Sequence, residues 1–297
     1  MPKHSLRIGL LSYRSNPHCG GQGGYIKSLS RALTALGHQV DVISGPPYPE
    51  IDPEVTLVKL PSLDLYNPDN PFRVPKTHEL KSPINLIEWL GISTMGFPEP
   101  FTFGLRAARY IKANKHKYDV IHDNQSLAYG LWHIKKILPT IATIHHPITV
   151  DREIAVKAAP HLWQKLKELR WHSFLDMQKH VARCMPRIIT VSKCARTDIS
   201  QAFGIDEDRF FVVPNGINTN FFYPLKGIPR ETNRIIVTNS ADTPLKGLHY
   251  LLQAIATIAA KRDIRLIVVG SPKKNGRGIT LIRKLGIGRL VLLTGRI

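Results

Sequence analysis

The sequence predicts an α/β fold made of mostly parallel sheets in two domains, the second of them incomplete. Short apolar runs alternate with helical patterns along the 297 residues. This alternation is typical of parallel sheets covered by helices on both faces. Apolar residues make up 43% of the chain, which is enough for a hydrophobic core. A polar, aperiodic stretch at residues 216–233 separates two series of elements and is interpreted as a linker.

The first series predicts a domain at residues 1–215. Its strands are expected at 6–12, 40–43, 119–122, 139–144, 187–191 and 210–214. Its helices are expected at 26–36, 101–114, 160–185 and 193–203, the first of them ended by Gly37. Residues 46–100 are rich in proline and weakly periodic. We expect them to form long loops with short elements, which on an α/β scaffold often select substrates.

The second series predicts a partial domain at residues 234–297. Strands are expected at 235–238, 264–269 and 290–293, and helices at 248–255 and 279–285. A sheet typically has about five or six strands, and only three are predicted here. Either further strands come from elsewhere or the sequence is a truncated product; we favour truncation.

Charge and cysteine content restrict the class of protein. The chain has 41 Lys and Arg against 22 Asp and Glu, a net charge of +19, which favours an anionic partner such as nucleic acid, a membrane surface or a phosphorylated ligand. Cys19, Cys184 and Cys194 share no CxxC spacing, which excludes a disulfide scaffold or zinc ribbon and favours a reducing compartment. No apolar run approaches the roughly 18 residues of a membrane span, and no secretory signal is recognisable. We therefore expect a cytoplasmic protein that meets a membrane only peripherally, from its inner face.

A glycine-rich segment, residues 18–24, lies between the first predicted strand and the first predicted helix. Four glycines in five residues, Gly20, Gly21, Gly23 and Gly24, allow backbone N–H groups to approach an anion at the positive end of a helix. A flexible turn without a ligand is the alternative, and phosphate contact is the better interpretation. A dinucleotide fingerprint fails, because Ile26 stands where the third glycine is needed. No P-loop sequence exists in the chain.

His145 and His146 lie at the carboxyl end of a predicted strand. A histidine there can hydrogen-bond a substrate hydroxyl or move a proton near neutral pH. A capping or core-edge histidine is the structural alternative. A metal-binding pair is not expected, because adjacent strand residues point to opposite faces and no cysteine or carboxylate cluster accompanies them.

Three further features have functional and structural interpretations. The acidic sequence 206–208 matches a DxD motif, but its position in a polar turn favours a solvated surface turn. Lys246 precedes the first helix of the second domain, where it either holds a diphosphate or is an ordinary solvated lysine. The basic, aromatic-rich segment 157–185 is typical of a helix on an anionic bilayer or of a core-packed helix with a solvated basic face. No nucleic-acid-binding motif is found, so we expect no nucleic-acid partner.

Together these features resemble the retaining glycosyltransferases of the GT-B class, in the group called family 4. The resemblance is carried in order along nearly the whole chain by residues 7–13, 20–23, 29–45, 119–122, 143–146, 189–192, 213–218 and 244–247. It implies two Rossmann-like domains, with the C-terminal domain holding a nucleotide-sugar donor and the N-terminal domain selecting the acceptor. It also implies a metal-independent hexosyltransferase that needs no cofactor.

The resemblance also implies roles for particular residues. His145 matches the active-site histidine of the family. Gly20, Gly21, Gln22, Gly23 and Lys246 match groups that bind the donor diphosphate, where fixed cations and N–H dipoles stabilise the charge that develops on the leaving group. Further donor or acceptor contacts are expected at Ser240, Asn124, His146, Asn215 and Gly270.

The sequence departs from the family pattern in two places. Ser240 stands where the family usually has an arginine, six residues before the lysine. The paired-glutamate motif expected after the third strand of the second domain is not reached before Ile297. We therefore expect the 297-residue chain alone to be inactive or very weak as an enzyme.

The predicted function is transfer of a sugar from a nucleotide-sugar donor to a saccharide or lipid-linked acceptor with retention of configuration. The base, UDP- or GDP-linked, stays open, and cell-envelope polysaccharide biosynthesis is the expected setting. One alternative is another phosphate-ligand enzyme on this fold, an epimerase or a phosphorylase. A second alternative is a non-catalytic basic module that binds anionic lipid or nucleic acid.

Overall fold

The computed structural model describes residues 5–18, 20–67, 70, 73–238, 246–270 and 276–295. The chain divides into two compact units, Met1–Arg152 with His161–Ile217, and Glu153–Pro160 with Asn218–Ile297. The assignment of acceptor and donor domains at 1–215 and 234–297 stays a prediction.

The first unit contains a seven-stranded sheet in which every pairing is parallel. The strands are β1 Arg7–Ser12, β2 Gln39–Ser44, β3 Thr56–Lys59, β4 Val120–Asn124, β5 Thr140–Thr143, β6 Ile188–Thr190 and β7 Phe210–Val212. Their order in the sheet is β3-β2-β1-β4-β5-β6-β7. All carboxyl ends therefore meet at one edge, and the strand order reverses between β1 and β4.

Helices connect the strands of this unit. They are α1 Gln22–Ala35, α2 Pro83–Ser93, α3 Glu99–Asn114, α4 Gly130–Ile134, α5 Ile148–Ala158, α6 Leu162–Trp171, α7 Phe174–Arg183 and α8 Lys193–Phe203. α5 extends from the first unit into the segment grouped with the second. Local sequence explains the bounds of α8: the hydroxyl of Ser192 accepts a hydrogen bond from Ala195 N at 3.0 Å, and Gly204 ends the helix in a left-handed conformation.

The core of the first unit lies on the two faces of the sheet. One cluster, including Leu11, Ile121 and Ile144, packs under α3, α4 and α7. A second cluster, including Leu10 and Val42, packs under α1 through Ile26. The central strands are apolar on both faces because helices cover both.

α3 and α4 approach each other at backbone distance. A Cβ atom on Gly130 would collide with the carbonyl oxygen of Gly104. A Cβ atom on Gly104 would likewise collide with the Cβ of Ala128. These glycines let α3 lie against the segment that succeeds β4, so they fix the position of that segment relative to the sheet.

Most predicted elements are present, and the differences have physical reasons. The predicted helix at 160–185 is two helices, α6 and α7, interrupted at His172–Ser173. The segment 46–100 contains β3 and the 11-residue α2 between loops, and no helix was predicted at the position of α2. Pro83 at the first position of α2 starts that helix rather than breaking it. The helix expected at 101–114 begins two residues earlier, at Glu99.

The second unit contains a three-stranded parallel sheet among its described residues. Its strands are β8 Arg234–Thr238, β9 Arg265–Val269 and β10 Val291–Gly295, in the order β10-β9-β8. The helices α9 Leu248–Ala259 and α10 Arg277–Lys284 cover one face. Leu252, Ile255, Leu266, Val268 and Ile282 form the core between helices and sheet.

Candidate active site

The carboxyl edge of the first unit's sheet carries Asn124 and His145, two of the predicted site residues. Helical connections run in opposite directions from β1 and from β4, so a crevice opens between the two strands. The glycine loop lies between β1 and α1, Asn124 ends β4, and His145 comes two residues after β5. Ligands of open parallel sheets bind at such a reversal point.

The glycine loop presents exposed backbone at the start of α1. A Cβ atom added at Gly20, Gly21 or Gly24 would meet no neighbouring atom within 4 Å. Gly21 is the N-cap residue of α1, which runs for 14 residues. The first N–H groups of a helix lack acceptors within the helix and carry the positive end of its dipole. This exposed helix start therefore suits an anion such as a phosphate.

Gly23 and Gln22 have structural partners in the same loop. Gly23 is buried, and a Cβ atom there would collide with the carbonyl oxygen of Asn16. The side chain of Gln22 interacts with Tyr13 and opposes the rise in the pKa of its hydroxyl. Burial, with Glu99 adding to it, raises the pKa of Tyr13 to about 12, so its hydroxyl stays protonated. These two contacts fix the shape of the loop.

His145 is held from two neighbouring elements. Its Nε2 lies 2.8 Å from Asn124 Oδ1. Because a carboxamide oxygen only accepts, the Nε2–H of His145 donates this bond. The ring of Tyr25, one turn into α1, lies edge-on to the imidazole with ring centroids 4.6 Å apart. The structure thus brings Asn124, His145 and the start of α1 together.

His145 is neutral at physiological pH. Burial, followed by the neighbouring His146, lowers the pKa of His145 to about 4. A neutral imidazole makes hydrogen bonds but adds no positive charge. Among the described residues, no side chain bonds its Nδ1, which leaves that atom as an acceptor. His145 is therefore suited to contact a hydroxyl group rather than to neutralise a phosphate.

A second buried histidine lies beneath this site and was not singled out by sequence reasoning. His122 Nε2 lies 2.7 Å from Thr143 Oγ1, and Tyr25 Oη lies 3.4 Å from the same oxygen. Burial, with a smaller effect of His145, lowers the pKa of His122 to about 4. The network ties β4, β5 and α1 together with neutral groups.

The turn after β4 is stabilised by its own side chains. The carboxylate of Asp123 accepts hydrogen bonds from the hydroxyl of Ser126 and from Leu127 N, the latter at 2.9 Å. Burial raises the pKa of Asp123 to about 6, although these bonds oppose the shift. Gln125 and Leu127 have φ angles of 53° and 45°, a left-handed conformation that costs free energy in residues other than glycine.

Sequence reasoning also missed Gln125, whose side chain contacts the backbone of both candidate histidines. Its Oε1 accepts from His145 N at 2.8 Å, and its Nε2 donates to His146 O at 3.0 Å. Gln178 of α7 supports it from below, donating to Gln125 O at 3.1 Å. Nothing in the spacing of these two glutamines distinguishes them in a single sequence.

The other predicted contact residues are less constrained. His146 is exposed, and its Nε2 lies 3.2 Å from Asp151 Oδ2. Asn215 is exposed after β7. Asn124, in contrast, is buried, and its Nδ2 has no partner among the described residues.

The predicted site residues of the second unit lie near the ends of its strands. Lys246 is exposed directly before α9, whose N-cap Gly247 has a left-handed φ of 68°. Gly270 comes directly after β9, and its N–H donates to Gly295 O at 2.9 Å. Ser240, where the family arginine is expected, lies outside the described residues. The predicted roles of all three stay predictions.

Neither a metal cluster nor a membrane-spanning helix occurs in the described ranges. No group of three or more His, Cys, Asp or Glu side chains in those ranges is placed to hold a metal ion. No helix in the same ranges is long and apolar enough to cross a bilayer.

Comparison with known proteins identifies the family. Residues 19–221 match Glycosyltransferase Family 4. The chain is 50% identical over 288 residues to the MMP alpha-(1->4)-mannosyltransferase of Mycolicibacterium hassiacum, an alignment that spans 96% of this chain and 69% of that protein.

Solved structures show the same fold. The glycosyltransferase WaaG, involved in lipopolysaccharide biosynthesis, has a TM-score of 0.60 at 14% identity, covering 98% of this chain and 70% of its own. Anabaena Alr3699/HepE, solved in complex with UDP and glucose, has a TM-score of 0.59 at 15% identity with the same coverage. These neighbours confirm the GT-B fold that the sequence predicts. The chain belongs to glycosyltransferase family 4.

Proposed function

We propose that this glycosyltransferase moves a mannosyl group from a nucleotide-linked donor to a hydroxyl of a saccharide or lipid-linked acceptor, with retention of configuration. The mannosyl assignment rests on the mannosyltransferase that is 50% identical over 96% of the chain. The observation that carries the site is the neutral His145, bonded to Asn124 beside the exposed start of α1.

In this proposal the glycine loop binds the donor diphosphate. The oxygen of the acceptor hydroxyl bonds to the anomeric carbon and its proton is released, while the nucleoside diphosphate leaves with the bonding electron pair. Negative charge then increases on the diphosphate. The exposed N–H groups at Gly20–Gly24 and the dipole of α1 stabilise that charge. Lys246 is proposed to add a cation, a role supported by the resemblance alone.

His145 is proposed to contact the transferred sugar or the acceptor. Its Nδ1 accepts a hydrogen bond from a hydroxyl group, whereas Nε2 stays bonded to Asn124. Since the imidazole is neutral, it orients the sugar without competing for the phosphates. We propose that the reaction needs no divalent cation, because backbone N–H groups stabilise the charge on the diphosphate.

Donor binding is tested on the 297-residue chain by ¹⁵N NMR titration with GDP, UDP and ADP and with their mannose-linked forms. We expect one base to be preferred and the amide resonances of Gly20–Gly24 to shift most. Unmoved resonances in this loop at millimolar nucleotide would show that the diphosphate binds elsewhere. An alanine substitution in this loop, such as Gly24→Ala, needs a control glycine outside it. Gly37→Ala is unsuitable because Gly37 has a positive φ; Gly288→Ala, with open space at its Cβ, serves instead.

Turnover is measured on a hybrid that joins residues 1–297 to the part of the Mycolicibacterium hassiacum enzyme that the chain does not match. His145→Ala should lower kcat by about 10²-fold or more, as expected for a group that contacts the reacting sugar. The anomeric ¹H–¹³C coupling of the product reports retention, and excess EDTA tests the need for metal. An inverted product, or activity abolished by EDTA and restored by Mg²⁺, would contradict the mechanism.

An anionic membrane surface is proposed as a second partner, supported by α6. No residue of α6 is buried, and four of its apolar side chains are exposed: Leu162 by 74%, Trp163 by 60%, Leu166 by 57% and Leu169 by 47%. Lys165, Lys167 and Arg170 accompany them, so the helix suits a bilayer that is both apolar and negatively charged.

Vesicle sedimentation tests this partner. The chain should bind vesicles of phosphatidylcholine with phosphatidylglycerol and not phosphatidylcholine alone. Trp163→Ser should weaken binding, whereas Leu36→Ser, at a leucine that is 58% exposed on α1's end, should not. Equal losses for both variants, or self-association through α6 without vesicle binding, would exclude the membrane.

A further inference from the structure

The side chain of Gln125 continues the hydrogen bonding between β4 and β5 after the strands end. The last backbone pair of these strands is Asn124 with Thr143. One residue later, the carboxamide of Gln125 takes the place of a strand backbone. Its Oε1 accepts from His145 N at 2.8 Å, and its Nε2 donates to His146 O at 3.0 Å. Two successive histidines are thereby attached to the end of β4.

The orientation of this carboxamide is determined by its partners. A backbone N–H only donates and a backbone carbonyl only accepts. The oxygen of the side chain must therefore face His145 and its nitrogen must face His146. A hydrocarbon, a carboxylate or a shorter amide cannot make both bonds.

Gln125 is itself held rigidly. Gln178 Nε2 donates to Gln125 O at 3.1 Å and to Ser126 O at 3.2 Å. Gln178 is fully buried in α7, and Asp123 fixes the same turn from within. The left-handed backbone of Gln125, with φ at 53°, is maintained because these bonds offset its cost.

Two consecutive residues at the end of β4 hold the side chain and the backbone of His145. Asn124 bonds its imidazole and Gln125 bonds its backbone N–H. Fixing the backbone restricts the ring to the arrangement in which Nε2 reaches Asn124. We propose that Gln125 is a positioning residue that sets the place and the tautomer of His145 for sugar transfer. This inference rests on the proposed role of His145, and no comparison assigns a role to Gln125.

The test uses the 297-residue chain with ¹⁵N-labelled histidine and backbone. Gln125→Met keeps the length of the side chain and removes both hydrogen bonds. We expect the His145 amide to exchange with solvent about tenfold faster or more, because a partly buried hydrogen bond is lost. We also expect the ring ¹⁵N shifts of His145 to change from a single Nε2–H tautomer to a mixture of both.

Gln201→Met, an exposed glutamine of α8 in the same unit, is the matched control and should change neither signal. Gln125→Glu keeps the acceptor for His145 N and loses the donor to His146 O, so it should restore slow exchange at His145 alone. A purely structural role would lower the melting temperature in Gln125→Met while leaving the tautomer of His145 unchanged. That result would overturn the proposal.

Activity of the hybrid enzyme separates this proposal from the proposed function. Gln125→Met should lower kcat with little change in the KM of the donor, and His145→Ala should add little further loss because both act through one group. If Gln125→Met disorders His145 but turnover is unaffected, then Gln125 positions a residue that the reaction does not use. That result would refute both the role of His145 in the proposed function and this inference. If His145 instead stays ordered in Gln125→Met, only the inference is refuted.

Discussion

The ring of Tyr25 meets the imidazole of His145 edge to face, with centroids 4.6 Å apart and an interplanar angle of 86°. Tyr25 stands one turn into the helix whose start carries the glycine loop, and its N–H bonds Gly21 O at 2.9 Å. The glycine loop and His145 are therefore connected through a single side chain, the ring of Tyr25.

Two substitutions of Tyr25 distinguish the contribution of its ring to stability from that of its hydroxyl. Tyr25→Phe keeps the aromatic contact and loses only the 3.4 Å bond to Thr143, so stability should fall by less than about 0.5 kcal/mol. Tyr25→Ala removes the ring and should cost about 2–4 kcal/mol, of which the aromatic pair accounts for about 1 kcal/mol. Urea unfolding measures both values. Equal costs would show that the hydroxyl, not the ring contact, holds this helix.

The glycines of the loop should respond oppositely to alanine. Gly23→Ala places a methyl group against the carbonyl oxygens of Asn16 and Ser15, so we expect destabilisation of about 1–3 kcal/mol. Gly24→Ala adds its methyl group to open space within a helix, which should leave stability unchanged or raise it by up to about 1 kcal/mol. Its nucleotide affinity should nevertheless fall, because the methyl group occupies the space offered to the diphosphate. Unfolding curves and nucleotide titration check the pair; unchanged affinity in Gly24→Ala would place the ligand elsewhere.

The buried His122 should make the protein sensitive to acid. Its pKa is lowered by burial from 6.5 to about 4, so between these values the unfolded chain binds a proton that the folded chain does not. The contribution of His122 to the free energy of unfolding is therefore fully present above pH 6.5. It is lost as pH falls toward 4, by at most about 1.4 kcal/mol per pH unit.

The acids of the same unit act in the opposite direction. Burial raises the pKa of Glu99 to about 7 and that of Asp123 to about 6, so these groups favour the folded state at lower pH. The contribution of His122 must therefore be read from the difference between His122→Gln and the unchanged protein. We expect this difference to favour the variant increasingly as pH falls from 6.5 to 4.5 in urea unfolding. A difference independent of pH would show that His122 has the same pKa in the folded and unfolded states.

A buried ion pair holds the helix that sequence reasoning did not predict. Glu88 of α2 is 1% exposed and accepts hydrogen bonds from Arg106 at 2.6 Å and from Leu63 N at 3.0 Å. Glu88→Ala leaves Arg106 without its carboxylate and should cost about 3–5 kcal/mol. Adding Arg106→Met should recover part of that loss in a double-mutant cycle. Strictly additive costs would mean that the two side chains do not stabilise each other.

The parts of the fold that depend on period and turn chemistry were predictable from the sequence. β1, with its buried Leu10 and Leu11, and α8, between Ser192 and Gly204, are examples. α2 was not predictable, because it is held by Glu88 reaching residues distant along the chain. The break between α6 and α7 was also hidden, since the apolar residues continue through it.

The candidate site divides in the same way. The glycine loop and His145 come after strands, and their positions relative to the sheet are set by topology. His122 bonds Thr143 on the neighbouring strand, and Gln125 bonds His145 N just beyond the end of that strand. Such bonds depend on which strands are neighbours and on one left-handed turn, and a single sequence encodes neither in a local pattern.

The backbone contact between Gly104 and Gly130 also limits how this enzyme can be re-engineered. A library that randomises the crevice can vary Gly24 without a clash, whereas any side chain at Gly130 would push α3 away from the turn that carries Gln125. Mutational scans should therefore show strong intolerance at these two glycines, although neither lies in the crevice beside β1. Variants selected for a new acceptor sugar should accumulate changes at other positions and keep both Gly104 and Gly130.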